Sequence, residues 1–117
     1  MSADQQDKDM VCTDCLGQSR ELSGLVQYVS GSIVSKSIMD RKVGTITLFA
    51  FDKGQGLSEH RSPFDAVVQV VEGEAELTIG GEAVKVTGGQ IVIMPAGVAH
   101  SVKAAEKFKM LLTMIRK

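Results

Sequence analysis

The stretch EAELTIGGEAVKVT, Glu74 to Thr87, decides the fold class. Two alternating arms flank Gly80-Gly81. Ala75, Leu77 and Ile79 take one face, and Glu74, Glu76 and Thr78 take the other, because strand side chains alternate. A Gly-Gly pair between such arms predicts a two-residue hairpin, whose turn needs positive φ. Working outward, the same grammar recurs. DAVVQVVE (65–72) is nearly continuous in apolar residues and predicts a central or doubly covered strand. GSIVSKSIM (31–39) and VGTITLFAFD (43–52) predict strands around a polar turn at Asp40-Arg41-Lys42. QIVIM, VAHSV and KFKMLLTMI follow as short strands, separated by turns such as Pro95-Ala96-Gly97. SGLVQY (23–28) reads as a short helix or strand. Many short strands with glycine turns predict an all-β sandwich or barrel.

Composition agrees and narrows the function. The chain has 117 residues, enough for one domain with a sizeable core. The expected organisation is a flexible arm over 1–22 and a β-barrel domain over 23–117. Net charge is −1, so no basic field favours nucleic acid or an anionic membrane. No apolar run is long enough to span a bilayer. The polar start MSADQQDKDM resembles neither a signal nor a transit peptide, which makes the cytoplasm the expected compartment. Cys12 and Cys15 form a C-x-x-C. With no further cysteine to complete a zinc set, they read as exposed thiols on the arm. The alternatives are a redox pair or half of a metal site shared between subunits.

Two histidines are present, His60 and His100, and each stands near a turn at the edge of a strand. At this point the chain resembles the cupins, small double-stranded β-helix or jelly-roll barrels of the RmlC-like kind. The family's first motif, G-x5-H-x-H-x3,4-E-x6-G, falls on Gly54, His60, Ser62, Ala66 and Gly73. Its second, G-x5-P-x-G-x2-H-x3-N, falls on Gly89, Pro95, Gly97, His100 and Ala104. Every spacing fits, across roughly residues 43 to 115. Ser62 stands where the family has its second histidine, Ala66 where it has its glutamate, and Ala104 where it has its asparagine.

The resemblance implies an interior pocket lined by His60, Ser62, Ala66 and His100. It also implies a metal site reduced to His60 and His100, with a weakly held divalent transition metal such as Fe, Mn, Ni, Cu or Zn. Alternation lets residues 60, 62 and 66 share one face if no bulge intervenes, and turns Glu59 and Asp65 away from it. Three readings stay open for the histidines: interior residues paired with backbone carbonyls or polar neighbours, metal ligands, or metal-free contacts that bind an anion or move a proton. Met110, Leu112 and Met114 share one strand face and read as core, as does Met94, with a thioether ligand for copper(I) as the alternative. Gln69 faces away from the pocket, and Glu72, Glu74 and Glu76 read as a solvated acidic edge.

Three function classes follow. The first is a stand-alone barrel that binds a small molecule around the two histidines. The second is a metal-dependent enzyme of the dioxygenase or isomerase class with an incomplete ligand set. The third is a non-catalytic dimeric module, in which the segment from Gly24 to Met39 crosses to a second copy; a homodimer is the expected assembly. Family membership alone assigns no reaction.

Overall fold

The computed structural model describes residues 9–116. Ten strands carry the fold: β1 (Met10–Val11), β2 (Ile33–Arg41), β3 (Gly44–Phe51), β4 (Gly56–His60), β5 (Asp65–Glu72), β6 (Glu74–Ile79), β7 (Glu82–Thr87), β8 (Ile91–Met94), β9 (His100–Lys103) and β10 (Phe108–Ile115). They form two antiparallel sheets. The larger runs β1-β2-β3-β10-β5-β8 and the smaller β4-β9-β6-β7. From β3 onward the chain passes repeatedly from one sheet to the other, which is the jelly-roll path. The all-β expectation holds throughout, including the terminal segment KFKMLLTMI, which lies in β10.

The hairpin is where its sequence places it. Glu74 pairs with Thr87 and Ile79 with Glu82, and Gly80 and Gly81 both adopt positive φ. One boundary moves. Asp40 and Arg41 pair with Thr45 and Gly44, so β2 continues through them and the reversal falls at Lys42-Val43.

The core lies between the sheets. Phe51 and Phe108 stack at 4.7 Å, and Val68, Leu77 and Met110 pack around them with almost no exposure. Gly73 makes the corner between β5 and β6. Its φ is +80, and a Cβ there would meet the Lys107 carbonyl at 2.6 Å. The motif glycine is therefore required by the close passage of another strand, not only by the turn.

A second, smaller cluster covers the outer face of the large sheet. Val26 buries itself against Leu48 and Ala50. The segment SGLVQY supplies it, as a 3₁₀ turn at Leu22–Leu25 followed by extended chain. Lys109 fastens this cover: its Nζ donates to the Ser23 carbonyl at 2.6 Å and lies 3.8 Å from Glu72. The Tyr28 hydroxyl donates to Glu72 at 2.7 Å, with Lys107 and Lys109 over its ring. Burial, then the bond to the Glu72 carboxylate, holds the Tyr28 phenol well above its ordinary pKa. Glu72 thus belongs to an ionic cluster with Tyr28 and Lys109, although its side chain keeps part of its surface in solvent.

The N-terminal expectation divides. Residues 1–8 lie outside the described residues. From Asp9 the segment docks: β1 pairs with β2, and the Cys12 amide donates to the Ile38 carbonyl at 2.8 Å. Cys12 is buried and Cys15 half-buried, which corrects the picture of two exposed thiols. Burial and the neighbouring Cys12 thiol push the Cys15 thiol up. The segment from Gly24 to Met39 packs on its own chain's sheet, with its second part, from Ile33, in β2 between β1 and β3.

Candidate functional site

The two histidines meet across the β4–β9 pair. His60 ends β4 and His100 begins β9, and the two are register partners. Alternation alone does not explain this. Leu57 pairs with Val102 and His60 with His100, so three steps on β4 match two on β9. The extra residue is a β-bulge, and it turns both Leu57 and His60 inward although their spacing is odd.

The path to Ser62 and Ala66 is also not a single strand. Residues 61–64 form the crossing from the small sheet to the large one. Ala66 then enters on β5, between Met94 of β8 and Met114 of β10. Leu57, His60, Ser62, Ala66 and His100 line one interior cavity of about 130 Å³, with Met94, Met110 and Met114 on its other walls. All four residues singled out from the sequence therefore come together.

Two loops make the rim and are zipped to each other. Gly97 donates its amide to the Ser62 carbonyl at 2.8 Å, and Arg61 donates to the Gly97 carbonyl at 3.0 Å. The Asp65 carboxylate accepts from the Ala96 amide at 2.8 Å. Asp65 points out of the cavity, as alternation requires. Its role, which sequence reasoning missed, is to fix the Pro95–Gly97 turn that delivers His100. Asp65 within reach of a Pro-x-Gly turn is a weak signal, since nothing in the spacing tells which amide it will meet.

The histidine geometry is specific. His60 Nδ1 bonds the Ser58 carbonyl at 2.8 Å, and His100 Nδ1 bonds the Val98 carbonyl at 3.1 Å. A carbonyl only accepts, so each ring carries its hydrogen on Nδ1. The two Nε2 atoms then face each other at 3.1 Å, with the rings nearly edge to face. In the neutral state both present a lone pair to the same point. A shared proton, or a cation, removes that repulsion. His100 is buried and His60 is exposed at the mouth. Burial holds His100 below the ordinary imidazole pKa, and nearby His60 acts in the same direction; the Val98 carbonyl opposes both.

The ligand set that the family resemblance implies does not fit these residues. Ser62 is occupied in accepting the Phe64 amide at 3.1 Å, and Ala66 offers no donor. Among the described residues no three His, Cys, Asp or Glu side chains gather as a metal cluster. What remains is two imidazoles in a cavity otherwise lined by the Ser62 hydroxyl, thioethers and aliphatic groups.

Comparison with known proteins places the fold. A family model described as "Cupin domain" matches residues 47–116. A conserved Streptococcus pyogenes protein of unknown function superposes with a TM-score of 0.82 at 37% identity, over 86% of this chain and 88% of that one. A cupin 2 conserved barrel domain protein from Leptotrichia buccalis gives a TM-score of 0.78 at 35% identity, over 80% of this chain and 46% of the other. KdgF from a Halomonas species shares the fold, with a TM-score of 0.66 at 23% identity over 78% of this chain and 86% of that one. An uncharacterized Streptomyces coelicolor protein is 41% identical over 56 residues, 48% of this chain and 53% of that protein. The aligned stretch is thus about half the length of that curated relative.

Proposed function

The chain belongs to the cupin domain family, and from that premise we propose that it is a binding module whose barrel holds a small ligand against the paired imidazoles of His60 and His100. The observation that supports this reading is the 3.1 Å approach of the two Nε2 atoms at an interior cavity. Apolar walls with a few convergent polar groups are the usual form of a small-molecule site. The volume, about 130 Å³, limits the occupant. It equals roughly four water molecules at about 30 Å³ each. The ligand is therefore an ion with its water, or an acid or alcohol of a few heavy atoms. When the pair shares one proton it carries a positive charge, which favours a small anion.

The test is a panel of small carboxylates and inorganic phosphate, read by melting temperature and by the ring-proton NMR resonances of the two histidines. A ligand that moves both resonances and raises the melting temperature supports the reading. Resonances unmoved by every compound in the panel and by metal ions count against it.

One observation favours a second reading, a metal-dependent enzyme of the dioxygenase or isomerase class. Imidazoles that bind metals commonly donate their other nitrogen to a carbonyl, and both rings do so here. Fe, Mn, Ni, Cu or Zn would be held by His60 and His100. Elemental analysis of the untagged protein beside the His60→Ala, His100→Ala double variant decides it. Near-stoichiometric metal lost in the variant is the expected outcome on this reading, and a metal-free parent that takes up none of these ions refutes it.

A further inference from the structure

We infer that Cys12 and Cys15 are an oxidisable thiol pair: a low-molecular-weight disulfide converts them to an intrachain disulfide that clasps the N-terminal segment where it docks on the large sheet. Neither residue lines the barrel cavity, so the site is separate from the histidine pair.

The first argument is the shape of the turn. The Cys15 amide donates to the Cys12 carbonyl at 3.2 Å, and Thr13–Cys15 is a 3₁₀ turn. Residues three apart in such a turn eclipse one another, and a rise of about 2 Å per residue sets their Cα atoms about 6 Å apart. A disulfide needs Cα atoms about 4.4–6.8 Å apart. The backbone therefore already holds the two residues at bridging separation. The side chains are neighbours too: burial first, then a hydrogen bond with the Cys12 side chain, push the Cys15 thiol up.

The second argument is unequal burial. Cys12 is buried and Cys15 half-buried, so Cys15 is the thiol that meets a dissolved disulfide. Its thiolate attacks one sulfur of that disulfide and forms a mixed disulfide. The other half leaves as a thiolate and takes up the proton that Cys15 released. The Cys12 thiolate then attacks Cys15 Sγ, and the second half leaves and takes the Cys12 proton. Two protein thiols are oxidised and one external disulfide is reduced to two thiols, so hydrogens and electrons balance. A raised thiol offers little thiolate at neutral pH, so the exchange is slow. The pair therefore works as a clasp and not as the activated thiol of a disulfide oxidoreductase.

The third argument is what the pair holds. Among the described residues no third His, Cys, Asp or Glu joins the two thiols in a metal cluster, and the Asp14 carboxylate lies 3.5 Å from Lys36 Nζ. β1 is two residues long, and the Cys12 amide extends its pairing by a bond to the Ile38 carbonyl. Beyond it the chain is mostly exposed, and Leu16 and Gln18 close it only by amide bonds of 3.2 and 3.3 Å to the Thr13 and Cys15 carbonyls. A bridge at 12–15 restricts the open conformations of this segment.

The test equilibrates the reduced full chain with mixtures of reduced and oxidised glutathione, then alkylates it and measures its mass. The same series is run in urea. The expected product has lost both thiols together, weighs two hydrogens less and carries no glutathione. Because the turn exists only in the folded chain, the equilibrium constant for oxidation should be about tenfold or more larger there than in urea. After oxidation the Cys15, Leu16 and Gln18 amides should exchange with solvent more slowly. Cys15→Ser should leave Cys12 reduced, since the buried thiol has no partner to deliver the external disulfide. A native chain that keeps both thiols in oxidised glutathione overturns the inference. A persistent glutathione adduct, a bridge between two chains, or equal oxidation in urea overturns it as well, and unchanged exchange of the three amides overturns the clasp.

Discussion

Replacing Ala66 by glutamate sets a carboxyl group into the cavity, at the position where the family resemblance has one. Ala66 is 2% exposed, and its neighbours across the sheet are Met94 and Met114. At about pH 8 unperturbed imidazoles are neutral, so the new carboxylate has no cation to pair with. The cost has a ceiling, because the carboxyl can take up a proton instead of staying charged. With an unperturbed pKa of about 4.3 and about 1.36 kcal/mol per unit, that ceiling is about 5 kcal/mol at pH 8 and about 1 kcal/mol at pH 5. The cavity of about 130 Å³ leaves room for the added atoms, so overpacking adds little. The expected destabilisation is therefore about 2–5 kcal/mol at pH 8 and shrinks as pH falls. The sign follows from linkage: the folded variant binds a proton that the unfolded chain has released, so its stability drops as pH rises above the unfolded pKa. Urea denaturation of parent and variant at both pH values measures it. Zinc(II) at a hundred times its dissociation constant should restore about 2.7 kcal/mol to the variant. A loss that is the same at both pH values, or no loss at all, would falsify the placement of Ala66 in the interior cavity with the histidines.

Gly73→Ala should destabilise the fold by about 2 kcal/mol or more, because positive φ and a Cβ 2.6 Å from the Lys107 carbonyl act together; denaturation measures it, and a neutral effect contradicts the corner geometry. The backbone amides of Gly31 and Lys53 hold the Asp52 carboxyl below its ordinary pKa. Its contribution is present above the unfolded pKa and fades as pH falls through the lower folded value, so Asp52→Asn should flatten the parent's acid loss; identical acid titrations would exclude this. Ile91 and Ile93 are exposed on the edge strand β8. If a second copy covers them, Ile93→Lys should convert a dimer to a monomer in sedimentation experiments, whereas a parent that sediments as a monomer removes the homodimer.

The strands were legible because their signals are local. Alternation around Gly80-Gly81 needs only neighbouring residues, and the apolar run of β5 needs only its own length. The site was legible as a set of four positions, yet the reason they converge was not. Parity placed residues 60, 62 and 66 on one face of a single strand. The structure instead uses a bulge before His60 and a sheet crossing at 61–64. Both are set by how long the strands are relative to their partners, which no local pattern records. The same holds for Asp65, Glu72 and Lys109. Glu72 read as a solvated charge and Asp65 only as turned from the pocket, yet all three residues are held by groups distant in sequence: the Ala96 amide for Asp65, Tyr28 for Glu72 and the Ser23 carbonyl for Lys109.

The sequence's own pattern determined the all-β class and the hairpin, whereas the motif glycines and the two histidines were picked out by the resemblance to the cupins. The class and the hairpin follow from side-chain alternation and from the φ that glycine alone adopts freely. The tertiary structure decided which nitrogen of each ring faces the cavity, because two backbone carbonyls tie down the other. It also decided that a thioether stands beside Ser62 and Ala66, because only strand pairing brings Met114 there.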